Sequence, residues 1–235
     1  SPAWVQSLSP EKLKELQRLL TPRLTKYIPP NPVTGGPRPT VPQAAFLLLP
    51  GLEALFGGAA GGGKSDAELM AALQYVDVPG YAAIIFRRHF TDLLLPGALI
   101  PRSHDWLQPT DAKWNDNEKR WTFPSGATLS FGYLSAENDK YRYQGAEFQY
   151  IGFDELTHFS ETQYRYMLSR LRRLKGATVP IRARGTANPG GVGHEWVKQR
   201  FIVEGPSQGR VFIPAKLVDN PHLDVEDYRS MLAKL

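Results

Sequence analysis

Eight consecutive residues, Gly58-Ala59-Ala60-Gly61-Gly62-Gly63-Lys64-Ser65, set two glycines around four small residues and follow them with lysine and serine. Residues this small let several backbone N–H groups converge on one anion, which larger side chains would prevent. Lys64 would neutralise the terminal phosphates and Ser65 would ligate magnesium, while a helix opening at Ser65 would add the positive end of its dipole. The chemistry is a phosphate cradle for ATP with magnesium. A flexible glycine linker has a similar composition, but this run follows an expected strand and opens an expected helix, as a phosphate loop must.

A second group supplies acids. Tyr150-Ile151-Gly152-Phe153-Asp154-Glu155 reads as an apolar strand ending in two carboxylates. Asp154 would hold the magnesium beside Ser65, through water, and Glu155 would take the proton of an attacking water. Other residues are candidates on position alone. Gln43, shortly before the first strand, is either a polar loop residue or an amide pairing with the adenine edge. Thr186 and Asn188, in the turn Gly185-Thr186-Ala187-Asn188-Pro189-Gly190-Gly191, either bond the γ-phosphate and lytic water or simply close a strand. For a catalytic arginine the candidates are Arg142, Arg184, Arg87 and Arg88, each of which also reads as an ordinary solvated residue. The five histidines show no metal-ligand spacing, so no metal beyond magnesium is expected.

These groups need a scaffold. Strands are expected at 53–56, 81–86, 148–153, 179–186 and 210–213, a hairpin at 121–133, and helices at 65–75 and 161–174. Strands alternating with helices argue for an α/β fold with a mostly parallel sheet flanked by helices. Ahead of it, Ser9-Pro10-Glu11 opens a leucine-striped helix, and residues 21–42 hold seven prolines, which predicts an extended arm. The expected divisions are 1–42 for helix and arm, 43–214 for the core, and 215–235 for a linker or lid segment.

Composition narrows the field. The 235 residues contain no cysteine, so no disulfide framework or thiolate zinc site is available. The longest apolar run, Ala44 to Leu49, is far below the roughly 20 residues of a membrane span, and no signal-peptide pattern opens the chain, so a soluble protein is expected. The net charge of +5 is mild, but residues 161–175 carry five basic side chains against one acid. Read as one helix, this segment puts Tyr164, Met167, Leu168, Leu171 and Leu174 on an apolar stripe and leaves Arg165 and Arg172 on a face able to follow a phosphate backbone.

Taken in order, Gln43, the loop 57–65, Phe86-Arg87-Arg88 with Asp92-Leu93, Tyr143-Gln144-Gly145-Ala146-Glu147-Phe148, the acidic pair and the turn 186–191 resemble the large terminase subunit of tailed bacteriophages. The resemblance runs from about Tyr27 to the end. It implies an ASCE-type P-loop NTPase that hydrolyses ATP to pump double-stranded DNA into a procapsid. The same resemblance implies work in the host cytoplasm as a homo-oligomeric ring on the portal protein, beside a small terminase subunit and without a membrane. The family's roles carry onto Gln43 for adenine, Gly58 to Ser65 for ATP and magnesium, Asp154 and Glu155 for hydrolysis, and Thr186 to Asn188 for coupling. Two positions depart from the pattern: Gln144 stands where many members have an arginine before Gly145, and Ala59 and Ala60 where members commonly carry one in the loop. Arg142 is the nearest arginine to the first. Complete members continue into an RNase H-like nuclease, so a motor domain without nuclease activity is expected. A helicase-like translocase and a nucleotide-gated assembly protein without turnover are the alternatives.

Overall fold

Alternation along the strands builds two cores. In β1 (Glu53–Gly58), Ala54 and Phe56 point into one apolar layer and Leu55 into the other; in β2 (Ala82–Arg87), Ala83 and Ile85 divide in the same way from Ile84 and Phe86. A strand whose successive side chains are all apolar must be covered on both faces. The computed structural model describes residues 24–32, 35, 36, 38–58 and 63–215, together with Glu11, Glu15 and Arg18. The leucines of the expected amino-terminal helix, loop positions 59–62 and the segment after 215 lie outside the described residues.

The remaining strands are β3 (Lys113–Asn115), β4 (Arg120–Thr122), β5 (Thr128–Tyr133), β6 (Tyr150–Phe153), β7 (Arg182–Ala187) and β8 (Val211–Ala215). They form one eight-stranded sheet in the order β3-β4-β5-β2-β6-β7-β1-β8. The pairs from β5 through β8 are parallel, and the pairs β3-β4 and β4-β5 are antiparallel. One face is covered by α1 (Val41–Leu48), α2 (Lys64–Leu73) and α3 (Leu99–Leu107). The other is covered by α4 (Glu161–Leu168) and α5 (His194–Lys198).

Three departures from the sequence reading have physical causes. Thr40 caps α1, with proline in the first turn and Gln43 at the third position reaching back to the Thr40 N–H, so Gln43 stands on a helix and not in a loop. The proline-rich stretch before it is tied down: Tyr27 is buried against Phe123 at 4.7 Å and donates to Asp111 at 2.6 Å, while Arg38 lies 4.3 Å over the Trp106 ring and pairs with Asp66 of α2. Finally, α4 stops at Leu168, six residues short of the expected end. Backbone groups at Phe148 capture the chain there, accepting Arg172 N–H and donating to the Arg170 carbonyl, so Leu171 forms a single parallel bridge with Phe148 just ahead of β6.

Candidate nucleotide site

Parallel strands bring their carboxyl ends to one edge, and three neighbours there carry the chemistry. The register pairs Phe153 with Gly185 and Phe56 with Thr186, so the residues just past β6, the end of β7 and the end of β1 lie side by side. From β1 the chain passes into the loop, and Gly63, in the left-handed conformation at φ 70°, caps α2. Lys64 and Ser65 are the first two residues of that helix, where backbone N–H groups lack helical partners and an anion is favoured.

Asp154 is buried, and its Oδ1 accepts a 2.8 Å hydrogen bond from the Thr186 hydroxyl while Oδ2 faces Arg87 Nε at 3.2 Å. Glu155 adopts φ 59°, ψ 60°, a left-handed backbone that costs a residue bearing a Cβ roughly 1 kcal/mol or more. Its carboxylate is gripped by Asn188, which donates from its backbone N–H at 3.1 Å and from Nδ2 at 2.8 Å. Thr157 donates in turn to the Asn188 carbonyl at 3.4 Å. Thr186 and Asn188 therefore hold the two acids directly. Gln43 is buried against the loop's exit: Nε2 donates to the Gly63 carbonyl at 2.7 Å and Oε1 accepts from Thr40 N–H at 2.8 Å. Both ends of its amide are engaged with this chain's own backbone. A shallow cleft opens between Gly57, Gly58, Asn188, Val197, Lys198 and Phe212, on the face of the sheet that α5 covers.

A family model for the N-terminal part of the T4-like terminase large subunit matches residues 55–223. The chain belongs to that family. Its fold is similar to solved large terminases, among them that of a thermophilic bacteriophage, at TM-score 0.64 and 14% identity over 82% of this chain and 50% of that one. The same thermophilic phage protein in complex with ATP-γ-S gives TM-score 0.64 and 14% identity over 83% and 49% of the two chains. The bacteriophage HK97 large terminase gives 0.63 and 11% over 91% and 52%. This terminase chain thus spans about half the length of the solved structures it matches. No protein of curated function matches it in sequence.

Electrostatics in the terminase site run in opposed directions. Burial lowers the Lys64 pKa, and the charges of Glu155 and Asp154 work against that, so the ammonium depends on the acids it faces. Among the described residues no three His, Cys, Asp or Glu side chains converge as a metal site. The donor set still fits a hard divalent ion. Ser65 offers a hydroxyl and Asp154 a carboxylate, the oxygen donors that such an ion would need from the protein beside phosphate oxygens and water.

The arginines sort clearly. Arg184 is buried under the sheet, with Nη1 and Nη2 donating to the carbonyls of Leu49, Gly51, Leu52 and Ala183, which removes it as a finger. Arg88 bonds Gln163 on α4 at 2.9 Å. Arg142 is half-exposed on a short 3₁₀ turn (Glu137–Tyr143), 4.7 Å over the Tyr133 ring and 2.8 Å from Asp139. Tyr133 ends β5, two strands from β6, so Arg142 shares the edge of the acids and touches neither of them. Arg87 alone of these reaches an acid of the site, and its place at the end of a strand beside the acidic one was its sequence signal. The expected basic helical face is not formed. Arg165 is on α4 near Glu161 at 3.8 Å, whereas Arg172 lies past the helix near Glu147 at 3.9 Å.

Proposed function

We propose that this chain is the ATP-hydrolysing motor domain of a DNA-packaging terminase, acting on double-stranded DNA in a homo-oligomeric ring at the portal with a small terminase subunit. The observation that carries the reading is the meeting of Lys64, Asp154, Glu155, Thr186 and Asn188 at the carboxyl edge of adjacent parallel strands, beside a glycine loop that opens a helix. ATP would lie along the loop with Gln43 near the base, and its bound magnesium, held by Ser65 and Asp154, would neutralise phosphate charge.

Within that arrangement each residue has a separable task. Lys64 and the α2 amino terminus bind the terminal phosphates. Glu155, set by its left-handed backbone and braced by Asn188, accepts the proton of the water that attacks the γ-phosphorus. Thr186 orients Asp154. Arg142, half-exposed on the same edge, is presented outward to a neighbouring subunit, where it would stabilise charge in the transition state. The test is magnesium-dependent phosphate release, with and without double-stranded DNA, for the parent, Lys64→Ala and Glu155→Ala. Both variants are expected to lose turnover while Glu155→Ala keeps ATP binding. Turnover by Glu155→Ala at the parent's rate would remove Glu155 as the base.

A further inference from the structure

Beneath the phosphate site, α2 carries a carboxyl that none of these steps uses. Glu68 lies one turn past Lys64 and is completely buried. Its Oε1 accepts a 2.7 Å hydrogen bond from the Tyr150 hydroxyl, and its Oε2 is buried with no hydrogen-bond partner. Tyr150 opens β6, the strand that delivers Asp154 and Glu155. Two residues on stands Gly152, where an added Cβ would overlap Glu68 Oε1. Helix and strand therefore meet through the carboxyl itself, in a notch that only glycine leaves open.

The charged groups that act on Glu68 are Asp154 from β6 and Arg184 from β7. Arg184 spends Nη1 and Nη2 on backbone carbonyls, and its Nε is buried without a partner. Among the described residues no cation is paired with Glu68, and an ionised carboxylate there would keep one oxygen stripped of both water and donors. Burial raises its pKa to about 8; the Tyr150 hydrogen bond and Arg184 oppose the rise, and the Asp154 charge adds to it.

We propose that Glu68 is a positioning residue, a neutral carboxylic acid wedged into the Gly152 notch that sets the spacing between the phosphate-loop helix and the acid-bearing strand. Its effect on nucleotide rests on the reading of the site given above. The wedge itself rests on the packing at Gly152 and on the buried, unpartnered Oε2 of Glu68.

Two measurements from pH 5 to 9 test it: thermal melting and the binding of fluorescent ADP, on the parent, Glu68→Gln and Tyr150→Phe. The native Glu68 keeps its proton to about pH 8, whereas the unfolded chain releases it near 4.5. Between those values the unfolded state binds fewer protons, so the parent loses stability as pH rises and levels off above about 8. Gln has nothing to release. The melting temperature of Glu68→Gln therefore gains on the parent's progressively from about pH 5 to about pH 8. At about pH 9 the parent retains about one-tenth of its neutral form, so its ADP affinity falls about tenfold while that of Glu68→Gln stays level. Tyr150→Phe removes the donor that favours ionisation and moves the parent's falling limb to higher pH, which keeps the test alive should Glu68→Gln fail to fold. Superimposed ADP-binding profiles for parent and Glu68→Gln, or an unmoved limb in Tyr150→Phe, overturn the proposal. Absence of ADP binding at every pH, with melting profiles that still diverge, would sink the nucleotide reading and leave the wedge standing.

Discussion

The two edges of the parallel sheet handle charge in different ways. At the amino end Glu53 is buried and saturated: Arg200 donates to both of its oxygens at 2.8 and 3.1 Å, Arg210 at 3.2 Å and the Tyr164 hydroxyl at 2.9 Å. Burial alone would raise the Glu53 pKa, but the Arg200 hydrogen bonds and charge, with Tyr164 and Arg210, outweigh it and hold the group below its usual value. At the carboxyl end, Glu155 is held by the neutral donors of Asn188, and Asp154 divides its oxygens between a threonine and an arginine. A matched charge has no reason to move, whereas a carboxylate held by an amide can exchange that partner for a better one. The sheet thus carries a structural clamp at one edge and a candidate chemical site at the other, distinguished by an acid enclosed by two arginines on one side and Glu155 gripped by an amide on the other.

The largest effect should come from exchanging the fates of these two ends. Removing Glu53 as Glu53→Ala takes from Arg200 and Arg210 their shared buried acid, leaving only the longer contacts to Glu161 at 3.7 Å and Glu204 at 3.9 Å, and should cost about 3 kcal/mol of stability in denaturant titrations, with turnover per folded molecule retained. The gap to the parent should close in acid: a carboxyl with a lowered pKa stabilises above its unfolded value of 4.5 and loses that contribution as pH falls through its folded one. Lys64→Ala should do the converse, lowering phosphate release by about 10²–10³-fold with little change in melting temperature. If both variants lose stability alike, the contrast between the ends is wrong. A smaller effect is expected for Asn188→Ala, about tenfold in turnover or roughly 1.4 kcal/mol, with stability within about 1 kcal/mol of the parent. The smallest belongs to Arg165→Glu with Arg172→Glu, since the two residues are exposed and lie on different segments. The salt slope of DNA binding should stay unchanged, and a drop of about two would restore both as phosphate contacts.

The site was more legible than its supports. A glycine loop between a strand and a helix, and an apolar strand ending in two acids, are local patterns whose physics is contained in adjacent residues. The role of Thr186 as the Asp154 donor was not, because it arises only when β7 is inserted beside β6. The same holds for Arg184, whose surroundings as a buried hub of carbonyls are set by the loop before β1. Helix α4 was overextended because Leu171 and Leu174 continue the helical spacing, while the competing strand partner of Leu171, Phe148, is 23 residues upstream. Gln43 hid its helix behind prolines that act as a helix start when they fall in the first turn.

The left-handed backbone at Glu155 has a consequence for how such a domain would respond to selection. Glycine and asparagine accept that conformation far more readily than glutamate does, so the residue proposed as the base is also one the fold would prefer to lose. A library screened for heat resistance alone should drift toward Gly or Asn at this position and away from turnover.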